Sequence, residues 1–354
     1  MNSIKIREKM TAQGLDAMLL FSPVNIRYAS GFFITDGAAL ITRENAYLMT
    51  DSRYIEAARN EARGVTVEQF DAKHPLLDTI SGHLAAEGCE KIGAEELSLP
   101  YGDWLRYEER LGAKLTPAQE VLRSLRSVKE RVEVESIIAA QRIAEKALDE
   151  VLGLIKPGMR ERDIAAELTY RMLLQGAEGN SFDPICITGA KTSMPHGVPG
   201  DEVVKMGDFV TMDFGCLKNC YCSDMTRTVA VGSATDEMKK VYETVYRAQE
   251  AGIAAARAGV TGASIHNAAA KVIADAGYGQ YFGHGFGHSL GLEIHEAPNA
   301  SPSNEKPMPC GAVISAEPGI YIPGKFGVRI EDMLYLTEDG CENLTKAPKQ
   351  LIIL

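Results

Sequence analysis

The sequence predicts an α/β domain over residues 1–125 followed by a larger α+β domain over 126–354, the latter built from two half-domains of similar plan. Three observations predict it. The first third of the chain alternates short apolar runs with helically spaced segments, a long charged amphipathic stretch then intervenes, and two strand-like segments that end in carboxylates echo one another further on.

In the first domain the runs DAMLLFS (16–22), AALITR (38–43) and AYLMTD (46–51) are bounded by Gly, Pro, Asn or Asp, as strands are. RYIEAARNEA (53–62) carries helical spacing instead, and the lone Trp104 sits on a further helix, where a packing role is expected. From 121 to about 155 the periodicity predicts one long helix closed by KPG (156–158), because proline cannot continue the hydrogen-bond ladder. Another helix (161–174) follows, and then glycine-rich turns separate strand-like runs.

The echo lies in that last region. GDFVTMD (207–213) and GAVISAE (311–317) each run from a turn glycine through five residues to an acid. A second acid heads the next apolar segment in each case, Asp224 in SDMTRTVAV and Glu331 in VRIEDMLYL. Two half-domains of one plan place these pairs across an approximate twofold axis.

Composition narrows the classes of function. The 354 residues are 45% hydrophobic and 24% charged, which excludes collagen-like, low-complexity and disulfide-scaffold chains. A formal charge of -11 disfavours nucleic acid and anionic membrane as partners. No apolar run reaches membrane-spanning length, and the start MNSIKIREKM is not a signal sequence, so a cytoplasmic protein is expected. Seven cysteines, none in a C-x-x-C pair, point to unpaired thiols in a reducing compartment.

Acids inside strands need an explanation, because an isolated carboxylate in an apolar interior costs far more than a fold can spare. Asp213, Asp224, Glu317 and Glu331 make four, and Arg227 and Arg329 can neutralise at most two. Between the two pairs lies GHGFGHSLGLEIHE (283–296), which holds His284, His288 and His295, three of the chain's seven histidines. Imidazole is a common ligand for transition metals and carboxylate oxygens suit manganese and other hard divalent ions. Four carboxylates and one imidazole can hold two dications of matching charge, which between them ionise a shared water and polarise a carbonyl. A single structural zinc fits this oxygen-rich set less well. The residues themselves therefore indicate a metal-assisted hydrolase acting on an amide or similar bond.

These segments carry a family resemblance. DFG (213–215), YCSDMTRT (221–228), GHGFGHSLGLEIHE, EPGIYIP (317–323) and GVRIEDM (327–333) resemble the proline-peptidase branch of the pita-bread metallopeptidases, which contains aminopeptidase P and prolidase. NIRYASGF (25–32) and TDSRYIEAA (50–58) are similar to that group's creatinase-type amino-terminal domain, so the likeness spans nearly the whole chain. It implies that Asp213, Asp224, His288, Glu317 and Glu331 ligate two divalent ions, manganese first with cobalt or zinc as alternatives, and that Asp224 and Glu331 bridge them. It further implies that Glu317 handles the proton of the attacking water, that His196, in MPHGVPG, and His284 and His295 serve the substrate site, and that Arg329 supports the ligands from behind.

What it implies about activity is cleavage of an amino-terminal residue from a peptide with proline second, by attack of a metal-bridging hydroxide on the Xaa-Pro amide. Many dipeptidase members carry an arginine after HE-x-P, suited to a substrate carboxylate. Here HEAP is followed by Asn299, which leans the reading toward aminopeptidase P, with Xaa-Pro dipeptidase (prolidase) as the alternative. A non-catalytic binding module on the same fold is the rival of another class, and the complete ligand set speaks against it. Methionine aminopeptidase shares the metal scheme but normally lacks the front domain. The resemblance also implies a homodimer in which the first domain of one subunit walls the other's site, with Asp36 as a contributor.

Overall fold

The apolar runs of the first third become short buried strands because their flanking Gly, Pro and Asp residues stop them early. The computed structural model describes residues 2–354 in two units, the first ending at Arg126 and the second spanning Ser127–Leu354. The first unit contains α1 (Asn2–Ala12), β1 (Ala17–Leu20), α2 (Pro23–Ser30), β2 (Gly37–Thr42), β3 (Ala46–Thr50), α3 (Ile55–Glu61) and β4 (Thr66–Gln69). It continues through α4 (Leu76–Ala86), β5 (Ile92–Ala94), α5 (Tyr101–Leu111), β6 (Leu115–Pro117) and α6 (Gln119–Arg126). Its six strands form one mixed sheet in the order β4-β3-β2-β1-β5-β6. Leu19, Leu40, Ile80 and Leu84 pack into its core, and Trp104, on α5, closes over them.

The long helix expected over 121–155 is in fact two. α6 stops at Arg126 and α7 runs from Arg131 to Leu152. Two local devices break the run. Glu130 and Glu133 form a reciprocal capping box, the Glu130 N–H donating to Glu133 Oε2 at 2.8 Å. Lys129 turns its own N–H to the Gly311 carbonyl at 2.8 Å instead of to the preceding turn. Charge periodicity continues through the break, so it does not reveal it. The downstream end also falls earlier than expected, at Leu152 before Gly153, and not at the proline.

The second unit repeats one plan twice. In the first half α7 and α8 (Glu161–Leu174) pack on the three-stranded sheet β12-β9-β8, made of β8 (Ile185–Thr188), β9 (Phe209–Phe214) and β12 (Met225–Ala230). A small three-stranded sheet, β11-β10-β7, flanks it, from β7 (Gly179–Asn180), β10 (Cys216–Lys218) and β11 (Tyr221–Cys222). In the second half α9 (Asp236–Ala255) and α10 (Gly262–Asp275) accompany a five-stranded sheet ordered β14-β13-β15-β18-β19. Its strands are β13 (Gly287–Ser289), β14 (Glu296–Ala300), β15 (Val313–Ala316), β18 (Asp332–Leu336) and β19 (Cys341–Asn343), and a hairpin of β16 (Gly319–Ile322) and β17 (Phe326–Arg329) stands beside it. Threonine N-caps start both helices, Thr235 accepting from the Met238 N–H and Thr261 from the Ser264 N–H.

Each half has its own core. Leu148, Ile164, Leu168 and Phe214 fill the first, and Val245, Ile265, Phe286, Ile314 and Leu334 fill the second. Burying side chains of this size contributes about 1.5–3 kcal/mol each. Register makes the likeness concrete. Asp213 lies opposite Thr226 across β9 and β12, and Ala316 lies opposite Asp332 across β15 and β18. Each carboxylate pair thus falls at one end of an antiparallel strand pair. Gly287 permits a close approach here, since a Cβ on it would overlap the Ser315 carbonyl of the neighbouring strand. Among the described residues no helix is long and apolar enough to cross a membrane.

Candidate metal centre

Two polypeptide crossings bring the strand ends of the halves together. The Glu331 N–H donates to the Thr226 carbonyl at 3.1 Å and the Thr226 hydroxyl donates to Glu331 Oε2 at 2.7 Å, so β12 of one half fixes an acid of the other. The Glu317 N–H donates to the Phe286 carbonyl at 2.8 Å, and the Ser315 hydroxyl reaches Glu317 Oε1 at 2.9 Å while accepting the His288 N–H at 3.0 Å. These bonds set a cavity of about 490 Å³. All nine residues singled out from the sequence line it: His196, Asp213, Asp224, His284, His288, His295, Glu317, Arg329 and Glu331.

At its floor His288 Nε2 stands 3.5 Å from Asp224 Oδ2 and 3.4 Å from Glu317 Oε1. Donor atoms of Asp224, His288 and Glu331 lie within 4.8 Å of one another. A carbonyl only accepts, so the 3.2 Å contact between His288 Nδ1 and the Ser289 carbonyl places the ring proton on Nδ1. Nε2 then faces the carboxylates, the orientation in which a backbone carbonyl holds a ligating histidine.

The charges do not balance from protein groups alone. Arg329 is buried, with Nη2 on Asp213 Oδ2 at 2.5 Å and Nη1 on Tyr321 Oη at 3.0 Å and on the Pro195 carbonyl at 3.2 Å. Arg227, expected as a second neutraliser, serves elsewhere: it pairs with Asp332 at 2.8 Å and donates to the carbonyls of Glu331, Ala347 and Pro348. Among the described residues that line the cavity, one guanidinium therefore stands against these four acids and the exposed Asp183. Burial pushes the carboxyls of Asp224 and Glu331 well above their ordinary range, and neighbouring carboxylates push them further. Asp213 is also raised by burial, with Arg329 opposing. Asp213 Oδ1 and Glu331 Oε1 are buried with no hydrogen-bond partner among the described residues. Orphaned acceptor oxygens beside an imidazole nitrogen fit hard divalent cations.

The other histidines differ in freedom. His284 Nδ1 donates to the Gly285 carbonyl at 2.8 Å, which leaves Nε2 to accept from the Tyr321 hydroxyl at 2.9 Å. Burial lowers its pKa, so the ring is neutral and both nitrogens are engaged. His295 meets the His288 ring edge-on at 4.4 Å and is likewise lowered, first by burial and then by His288. His196 stands exposed at the rim. Glu161, wholly buried, accepts the Thr188 and Gly200 N–H groups at 2.8 Å each and so ties both ends of the loop that carries His196. Phe182, Ile185 and Ile294 supply apolar wall, and Asn299 lines the cavity at the place noted in the sequence. Asp36 belongs to the first unit, where it contacts the Thr35 hydroxyl at 2.9 Å and Arg53 at 3.1 Å.

Sequence reasoning missed Tyr321 and Thr226. Tyr321 sits in the apolar run GIYI and reads as core, which it also is, while its hydroxyl joins Arg329 to His284. Burial pushes its pKa up to about 12, so it acts as a neutral donor.

A two-half α+β unit whose strand ends gather acids around an imidazole, following a smaller α/β unit in the chain, defines a metallopeptidase. The chain belongs to metallopeptidase family M24, whose model matches residues 135–338, and residues 4–128 match the Creatinase/Prolidase N-terminal domain. This is the pita-bread arrangement anticipated from the motifs, and the chain is a metallo-exopeptidase that works with divalent metal ions. It is 38% identical over 350 residues to an Xaa-Pro dipeptidase of Pyrococcus horikoshii, covering 98% of this chain and 97% of that one. Among solved structures, an Xaa-Pro dipeptidase from Bacillus anthracis superposes with a TM-score of 0.96 at 38% identity, covering 99% of both chains. An X-Pro aminopeptidase from Thermotoga maritima gives a TM-score of 0.93 at 36% identity, over 98% of this chain and 100% of that one.

Proposed function

We propose that the chain is an Xaa-Pro dipeptidase of prolidase type, with two divalent ions held by Asp213, Asp224, His288, Glu317 and Glu331. The observation that carries the metal site is three buried acids and the half-buried Glu317 set against a single guanidinium, with two orphaned oxygens and an imidazole nitrogen among them. Two dications match four carboxylates in charge, manganese suits the oxygen-rich set, and cobalt and zinc are the alternatives. The dipeptidase reading is supported by the relatives from Pyrococcus and Bacillus, which cover nearly the entire chain, and it displaces the lean toward aminopeptidase P.

Bound divalent ions supply Lewis-acid polarisation of a carbonyl and acidify water near neutral pH. The chain's residues do the rest. Glu317, held by the Ser315 hydroxyl, is the proton acceptor at the attacking water. His295, exposed on the cavity wall with its pKa lowered by partial desolvation, is placed to exchange a proton with the scissile carbonyl or the leaving nitrogen. His196 at the rim orients the substrate. The imino nitrogen of proline offers no N–H and its ring is apolar, so an apolar wall such as Phe182 and Ile185 suits it.

A second reading, aminopeptidase P, is favoured by one specific observation. Asn299 replaces the expected arginine, and the guanidinium on the cavity wall, Arg329, is committed to Asp213, Tyr321 and Pro195. Neither offers a charge to the free carboxylate of a dipeptide. Rates on Ala-Pro and Ala-Pro-Ala after chelation and manganese reloading test both. Faster turnover of Ala-Pro supports the dipeptidase, faster turnover of Ala-Pro-Ala supports the second reading, and no turnover with any divalent metal overturns both. The family resemblance also supports a homodimer with Asp36 near the partner's site; a monomer by light scattering at micromolar concentration would refute that.

A further inference from the structure

The connection between α6 and α7 carries a charge that the site as described does not use. Lys129 lies there with its side chain only 2% exposed, and its Nζ reaches Glu296 Oε2 at 2.9 Å. Glu296 is 5% exposed at the side chain and is the residue after His295. Taking two charges out of water is costly unless the geometry is good and the remaining atoms are bonded. Here they are: Glu296 Oε1 accepts the Glu293 N–H at 3.1 Å, and the Lys129 backbone is itself fixed to Gly311.

The pair sits under one particular hairpin loop. β13 carries His288 and β14 begins at Glu296, with a register shift between His288 and Ser289, so residues 290–295 form the loop between them. Inside it the Gly291 N–H bonds the Glu293 carbonyl at 3.0 Å, and the Gly291 carbonyl accepts the Cys222 N–H at 2.7 Å. A Cβ on Gly291 would sit 2.9 Å from both Glu296 Oε2 and Lys129 Cε, so the glycine lets the loop lie directly on the ion pair. Two residues of this loop, Ile294 and His295, line the cavity, and the His295 ring stacks edge-on against His288.

We propose that Lys129 and Glu296 are positioning residues: their buried ion pair holds the 290–295 loop so that His295 stays against His288 and at the substrate. The inference rests on the proposed peptidase reading for its activity test alone. A purely apolar substitute packs as well as such a pair and is often as stable, so burial of charge at this spot is explained by what it orients.

The test compares wild type with Lys129→Met/Glu296→Gln, which removes both charges and keeps the shape, and with the exchanged pair Lys129→Glu/Glu296→Lys. Each is also made in a His295→Ala background. With manganese loaded, the neutral pair is expected to lower kcat by about 10–100-fold, as loss of supporting contacts does, with metal content unchanged and the exchanged pair recovering much of the loss. In the His295→Ala background the same change has little further effect. In metal-free protein the Glu293 and Cys222 amides exchange faster with solvent in the neutral variant. Wild-type kcat in the neutral variant, or an equal loss without His295, would overturn the proposal. If the wild type itself fails to turn over Xaa-Pro peptides, the functional reading falls; amide exchange then decides, and unchanged exchange at Glu293 and Cys222 overturns the positioning role.

Discussion

Replacing Arg329 with methionine removes the one cation that the protein aims at the cavity acids and keeps much of the stem's volume. In wild type the guanidinium meets Asp213 at 2.5 Å, with side chains 5% and 12% exposed, and also donates to Thr226, Tyr321 and the Pro195 carbonyl. Removing one partner of a buried pair costs about 3–5 kcal/mol, because the other charge is left uncompensated. Protonation of Asp213, whose pKa burial already raises, relieves part of that at low pH, so the cost grows toward neutral pH. Manganese supplies positive charge in the same place, so the cost shrinks when the ion is bound. The assay is urea unfolding of chelated and manganese-loaded protein followed by far-UV circular dichroism, since the single Trp104 lies in the first unit and does not report on the second. A cost below about 1 kcal/mol in chelated protein, as for an exposed pair, or equal costs with and without manganese, would refute the reasoning.

Three further outcomes are expected. Asp224 and Glu331 have folded-state pKa values raised well above the ordinary carboxylate values; such groups favour the fold below their unfolded pKa and lose that contribution as pH rises through the raised one. Chelated protein therefore melts lower at pH 8 than at pH 5, while manganese reverses the trend because ligands bind deprotonated; parallel melting profiles with and without metal contradict this. Tyr321→Phe keeps the ring but removes the donor to His284 Nε2 and the acceptor for Arg329, so kcat should fall about tenfold or more at unchanged metal content, and an unchanged kcat severs the link. Asn299→Arg should shift the Ala-Pro to Ala-Pro-Ala rate ratio toward the dipeptide by about 10–100-fold, the worth of a charge-assisted hydrogen bond, and an unshifted ratio means residue 299 does not face the substrate's carboxylate.

The acids and histidines were legible because their types contradict their surroundings: a carboxylate in VTMD or VISAE (210–213 and 313–317) has no reason to sit among core residues unless charge awaits it. Three of the first unit's six strands, β1 to β3, were legible within a residue or two, since punctuation by Gly, Asn and Asp marks their ends, while the short β4, β5 and β6 were not. What stayed hidden depends on tertiary partners. Arg227 and Arg329 look alike in sequence, yet one is drawn to Asp332 and the other to Asp213. Tyr321 has an apolar ring that explains it, so nothing announced its hydroxyl. The helix break at 127–130 is made by the Gly311 carbonyl, 182 residues beyond Lys129, and by a capping box written in two glutamates that a charged helix face would carry anyway.

The central claim is that five groups from both halves of the second unit hold divalent ions. A crystal grown with excess manganese and measured at the manganese absorption edge tests it most directly. Two anomalous peaks enclosed by Asp213, Asp224, His288, Glu317 and Glu331 are the predicted result, and the absence of any peak among those side chains would contradict it.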